Sequence, residues 1–369
     1  MIYVFIFLIL IILRYSLVGR QDIAVNVYPW VLFFLFLFSA FRFEVGCDWG
    51  NYRTIHLQTQ LPIGEIWFRV LTEPSHLAIS KILHFFGLSY LWMMVFSSGV
   101  FFYGVNKLAK RSPDPLGFII LLFPILIMNM PMSSVKQGAA IGVLCLAFIA
   151  FFDGKLLKFV LLVALAASFH PSAIIFIALI LFVKGALTNK RLLAALFLSI
   201  PFLGILSLSS LADTAVTRYV NGPAESAGAL FRIGMLVLTA SVFFIFFNKK
   251  YQKFSTSEYK LMYLTSLMML GCFLILPISS VIADRVGYYL IPMQAYFFVS
   301  IPAIKNVQFR VFWSAWPYLM LSTVFIFWTS FSFHFSHCYV PYKSWLMGVP
   351  GFGRDYETDE DELLIENIK

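Results

Sequence analysis

Between two long apolar runs lies a segment rich in groups that handle charged ligands: Arg42-Phe43-Glu44-Val45-Gly46-Cys47-Asp48-Trp49-Gly50-Asn51-Tyr52-Arg53. Guanidinium groups present paired N–H donors that match phosphate oxygens. A carboxylate beside them can take a proton or orient a hydroxyl. Further along, polar groups recur at the ends of apolar stretches: Lys136-Gln137, His170-Pro171-Ser172, Arg232, Asp284-Arg285 and Tyr342-Lys343. A cation inside an apolar helix needs a counterion, an anionic ligand or water. The nearby carboxylates Glu44, Asp48, Asp213, Glu225 and Asp284 are outnumbered by Arg42, Arg53, Arg69, Lys136, Arg218, Arg232, Arg285 and Lys343. That excess predicts an anion site, best suited to phosphate or diphosphate.

Each feature also has a plainer reading. Arg42 and Arg53 can snorkel to headgroups, and His170-Pro171-Ser172 can be a capped turn. Asp284-Arg285 can be a local ion pair, and Tyr342-Lys343-Trp345 part of an aromatic belt. Shared sidedness favours the site reading, and it follows from a topology set by other residues.

The elements that carry these groups are apolar helices. Of 369 residues, 60% are hydrophobic and 12% charged, with 42 phenylalanines, and the mean hydropathy is +0.86. Soluble domains carry about 25% charged residues. Apolar runs predict one all-α polytopic membrane domain over 1–350, with about twelve spans. They fall near 2–19, 24–41, 89–106, 115–131, 134–152, 155–168, 171–184, 192–209, 229–247, 259–278, 285–303 and 309–331. The pair around 170 is short for a bilayer core of about 30 Å. Residues 351–369 form an acidic tail, expected to be solvated.

Lys and Arg set the orientation. Arg20, Lys107, Lys110, Arg111, Lys155, Lys158, Lys184, Lys190, Arg191, Lys249, Lys250, Lys253, Lys305 and Arg310 occupy every second connection and mark the cytoplasmic side. The net charge of +9 is therefore read as topology rather than as nucleic-acid binding. Loop 42–88 is then external, and its apolar but charged part, 66–86, is expected to lie in the interface rather than to cross it. Met1 to Leu13 reads as a retained span, not a signal peptide. Cys145 and Cys272 read as core residues. Cys47 and Cys338 would pair if both face an oxidising compartment.

The order of these short motifs resembles the EpsG family of polysaccharide polymerases, related in role to Wzy O-antigen polymerases. The resemblance rests on Arg42, Val45, Gly46, Asp48 and Tyr52, on Lys136, Gln137 and Ala140, on Phe169 to Ala173, on Arg285 and Tyr288, and on Pro341-Tyr342-Lys343. Two positions depart from the family pattern. Lys136 stands where the family usually has Arg, and Cys47 where it often has a small or hydroxyl residue.

The resemblance implies a glycosyltransferase without metal or other cofactor at the periplasmic face of the bacterial inner membrane. Its substrates would be undecaprenyl-diphosphate-linked oligosaccharides, and a chain-length regulator protein is a candidate partner. Diphosphate leaves without a proton if its charge is stabilised, a task for Arg42, Lys136, Arg232 and Arg285. The attacking hydroxyl needs a base, and the residues leave Asp48 and His170 both open. Tyr52, Gln137, Tyr288 and Tyr342 are expected on the sugars, with Trp49, Trp67, Tyr219, Tyr339 and Trp345 as further stacking surfaces. A flippase for the same lipid or a membrane acyltransferase are the alternatives. The absence of an internal repeat speaks against the first, and the external placement of His170 against the second.

Overall fold

The computed structural model describes residues 2–59, 73–211, 228–253, 256–305 and 307–347. Among them no strand occurs, and the single β-bridge joins Arg42 to Ser344. Helices stand at each expected apolar run: Ile2–Ser16, Gln21–Ala40, Tyr90–Ala109, Pro115–Ile127, Val135–Phe152, Leu156–Phe169, Pro171–Val183, Asn189–Leu211, Ala229–Gln252, Thr256–Ile275, Ser280–Ser300 and Arg310–Phe331. Five are long and apolar enough to cross a membrane: Gln21–Ala40, Val135–Phe152, Ala229–Gln252, Glu258–Ile275 and Arg310–Phe331. Four other apolar helices are shorter. The chain is a multi-pass helical membrane protein.

Val135–Phe152 is the central helix, with 83% of its window buried. Small residues at its contacts let neighbouring backbones approach. A Cβ at Gly104 would overlap the Gly142 carbonyl oxygen, and one at Gly142 would sit 2.5 Å from the Val100 oxygen. Lipid tails are as apolar as leucine, so such close backbone packing is what holds helices together. Gly142→Val is therefore expected to cost about 1–3 kcal/mol or more through overpacking. A thermal-aggregation assay in detergent would show it as a lowered midpoint.

The polar segment after Gln21–Ala40 is stapled to the end of the chain. Phe43 N–H donates to the Lys343 oxygen at 2.9 Å, Gly46 N–H to the Cys338 oxygen at 2.6 Å and Trp345 N–H to the Phe41 oxygen at 3.1 Å. A Cys47–Cys338 disulfide joins the same two segments, as expected from the sequence. Gly46 has φ +104°, and a Cβ there would overlap the Met132 oxygen. Glycine thus lets this loop lie directly on the start of the central helix.

Helices Trp49–Gln58 and Pro74–Phe85 follow. The second is the described part of the expected interfacial segment. Its twelve residues reach about 18 Å, too short to cross, and it packs on Tyr90–Ala109 and Leu156–Phe169. Trp67, Arg69, Asp213, Arg218, Tyr219, Glu225 and the tail 351–369 lie outside the described residues.

The short pair at 156–183 has a physical resolution. Leu156–Phe169 has fourteen residues, about 21 Å. Its partner begins as a nine-residue 3₁₀ segment, Pro171–Leu179, which rises about 2.0 Å per residue instead of about 1.5 Å. The partner thus stretches to meet the shorter helix. The hairpin tip, His170, is drawn inward among the other helices instead of standing at the surface.

Candidate active site

The tip of that hairpin meets the loop 42–48 and the starts of helices Val135–Phe152 and Ser280–Ser300. Ser134 holds the N-cap position of the central helix without capping it. Its hydroxyl donates instead to Asp48 Oδ2 at 2.8 Å, and the Ser133 hydroxyl donates to the same oxygen at 3.3 Å. Asp48 is likewise an N-cap residue that caps nothing. The two groups are turned from their own helices towards each other.

Lys136 Nζ bonds Glu73 Oε2 at 2.6 Å and lies 5.2 Å from the Tyr52 ring centroid. Gln137 Nε2 donates to the Arg285 carbonyl at 2.7 Å, which ties the central helix to Ser280–Ser300. The positive charge of Arg285 acts on both Tyr52 and His170. Arg232 pairs with Asp284 through two bonds of 2.7 Å and lies 5.1 Å from the Tyr288 ring centroid. Asp48, Tyr52, Gln137, His170, Arg285, Tyr288, Lys136 and Arg232 therefore share one end of the bundle. The opposite end carries a separate set of pairs, Arg14–Asp114 and Arg111–Asp153–Lys155.

The expected surplus of cations is smaller than the sequence implied. Lys136, Arg232 and Lys343 each have a carboxylate partner, in Glu73, Asp284 and Glu44. The reason is electrostatic: an isolated cation in a low-dielectric setting is costly, and a distant carboxylate is recruited to it. Arg42 is turned inward at 1% exposure. Its Nε donates to the Val45 oxygen at 2.9 Å and Nη1 to the Ser39 oxygen at 2.8 Å. Tyr342 stacks on Phe38 and donates to the Phe38 oxygen at 2.9 Å. These contacts set Arg42 and Tyr342 to close the loop on the chain end.

His170 has the geometry of a prepared base. Its backbone is extended, with φ −151° and ψ 117°, and Pro171 starts the next helix. Nδ1 lies 2.6 Å from Ser172 Oγ and 3.3 Å from the Tyr289 hydroxyl, while Ser172 Oγ donates to that hydroxyl at 3.0 Å. Serine has a single proton. With that proton on the Tyr289 bond, Nδ1–H donates to Ser172, and Nε2 keeps its lone pair; the tautomer follows from the network. Burial, then the charges of Arg285 and Lys136, hold the imidazole well below its usual range, so it is neutral at physiological pH. His56, by contrast, is closed in the core at 5% exposure, with burial and His84 lowering it to about 4.

Glu73, Ser133, Ser134 and Tyr289 escaped the sequence reading. Tyr289 follows Arg285 by four residues, the helical spacing that puts both on one face. Ser133-Ser134 directly precede Lys136. Nothing local in the sequence couples Glu73 to Lys136. Among the described residues, the cluster of metal-capable side chains is Cys47, His334 and Cys338, and its two cysteines are joined to each other.

The Arg232–Asp284 pair separates structural from chemical roles. Its side chains are 16% and 10% exposed. Arg232→Ala strands a carboxylate and is expected to cost about 3–5 kcal/mol. Asp284→Ala added to it should recover most of that loss. Urea or thermal midpoints of the three variants in detergent test this, and a double variant no more stable than Arg232→Ala would contradict the pairing.

No curated protein and no solved structure matches the chain. A family model described as the EpsG family matches residues 25–344, a stretch that runs from the first residues of Gln21–Ala40 through the disulfide to Ser344 and so takes in every group assembled above. By that match the chain belongs to the EpsG family, the family of Wzy-like polymerases.

Proposed function

We propose that the protein joins undecaprenyl-diphosphate-linked oligosaccharides into longer chains for O-antigen, capsule or exopolysaccharide. It works at the periplasmic face of a bacterial inner membrane that its chain crosses about twelve times, and it uses no metal. The observation that carries this reading is the meeting of His170, Arg285, Lys136, Gln137 and Asp48 at one end of the bundle.

In the reaction the acceptor sugar hydroxyl attacks the anomeric carbon of the donor. The new C–O bond forms as the bond from that carbon to the diphosphate oxygen breaks, and the leaving lipid diphosphate takes the electron pair. His170 Nε2 receives the hydroxyl proton, and the Nδ1–H bond to Ser172 stabilises the imidazolium that results. Arg285 and Lys136 face the charge growing on the leaving group. Asp48, held by two serine hydroxyls, orients sugar hydroxyls beside Tyr52 and Tyr288. A chain-length regulator would act from outside this machinery.

Purified protein with lipid-linked repeat units should yield a ladder of chain lengths, and a deletion strain should carry single repeats on its surface. Complete loss of surface polysaccharide in that strain would point to export instead and overturn the reading.

A further inference from the structure

Between Ala229–Gln252, Arg310–Phe331 and the π-wound end of Pro115–Ile127 lies a cavity of about 440 Å³. Its walls include Phe231, Phe327, Trp328 and Phe331, and Arg232 and Asn129 border it. Phe231, Phe327 and Phe331 are 60%, 57% and 75% exposed, yet their rings lie in series, 6.5 and 4.8 Å apart by centroid. Arg232 stands in the first turn of its fourteen-residue α-helical stretch, where backbone N–H groups add to the positive potential. Its partner Asp284 immediately precedes Arg285. The groove thus joins the active-site cluster at its polar border and runs away from it along apolar walls.

We infer that this groove holds the polyisoprenyl chain of a lipid-linked substrate, with the phosphate next to that chain directed to Arg232 and Asn129. The inference rests on the polymerase reading above. One apolar channel with one cationic border suits a single-chain lipid; a two-chain phospholipid would leave a tail outside it. A chain with flat alkene units and branching methyls also fills a wide aromatic groove better than a straight acyl chain, which would leave unfilled space and forfeit contacts.

The test uses the full chain in nanodiscs with a photoreactive benzoylphenylalanine at position 327, in the groove, or at position 319 on the same helix. Leu319 is 63% exposed and does not line the cavity. Undecaprenyl monophosphate and dioleoyl phosphatidic acid are supplied in equal amounts. Position 327 should label the polyprenyl phosphate about tenfold over the phosphatidic acid, a difference of about 1.4 kcal/mol, whereas position 319 should label both alike. Thr323→Trp, which fills the groove, should abolish the preference at 327 while leaving labelling at 319 unchanged. Equal labelling of the two lipids at 327 overturns the inference without need of the tryptophan variant. The probe carries no sugar, so the two readings fail separately. Protein that shows the preference but joins no repeats loses the polymerase reading, and protein that joins repeats without the preference loses this one.

Discussion

His170→Ala is expected to lower the rate of chain joining by about 10²–10⁴-fold, the usual contribution of a positioned base, while binding of lipid-linked substrate changes little. The dependence on pH makes the assignment sharper. The base must be neutral to accept a proton, so the rate falls as pH drops through its pKa. Burial and the Arg285 and Lys136 charges hold that pKa well below the ordinary imidazole range, and the acid limb of kcat/KM should lie correspondingly low. Arg285→Gln removes a positive charge that disfavours the imidazolium. The pKa must then rise, and the limb must move to higher pH. Weakened substrate binding in this variant lowers the whole profile but does not relocate its limb. A limb that stays in place or moves down would reject His170 as the base. Bound diphosphate acts in the same direction as the substitution, because it offsets the charge of both cations, so the base is strengthened when the donor is in place.

The fold was largely legible because apolar runs in a membrane chain have few alternatives to helix. The helices at the twelve runs stand close to where hydropathy put them. The Cys47–Cys338 disulfide followed from sidedness alone. The site was legible in part, and the misses have a common cause. Sequence shows that Lys136 is a cation in an apolar setting, but its counterion Glu73 is separated from it by 63 residues. Arg42 looks like a phosphate ligand by type, yet the tight turn of 39–45 offers its guanidinium two carbonyl oxygens at once. The relay from His170 through Ser172 to Tyr289 crosses between two helices, and only packing brings its members together. Residue type gives the chemistry a group can do; which partner consumes that capacity is decided in three dimensions.

The Lys136–Glu73 pair offers the test with the second large effect, because it separates folding from chemistry at one position. Both side chains are mostly buried, at 9% and 17% exposure, and meet at 2.6 Å. Lys136→Met leaves Glu73 buried without its cation and is expected to cost about 3–5 kcal/mol of stability. Adding Glu73→Gln removes the stranded charge, so the double variant should recover most of the lost stability. Activity should not recover with it. In the proposed reaction Lys136 stabilises the leaving diphosphate, and losing one such donor costs about 10²–10³ in rate. The measurement is a pair of readings on each variant: a thermal midpoint in detergent and the length distribution of polymer made from lipid-linked repeats. If the double variant regains full polymer length along with its stability, Lys136 serves only to neutralise Glu73, and the charge that meets the diphosphate must come from Arg285. A stable double variant confined to short chains places Lys136 in the chemistry, because the change that spares the fold has removed only the cation the reaction needs.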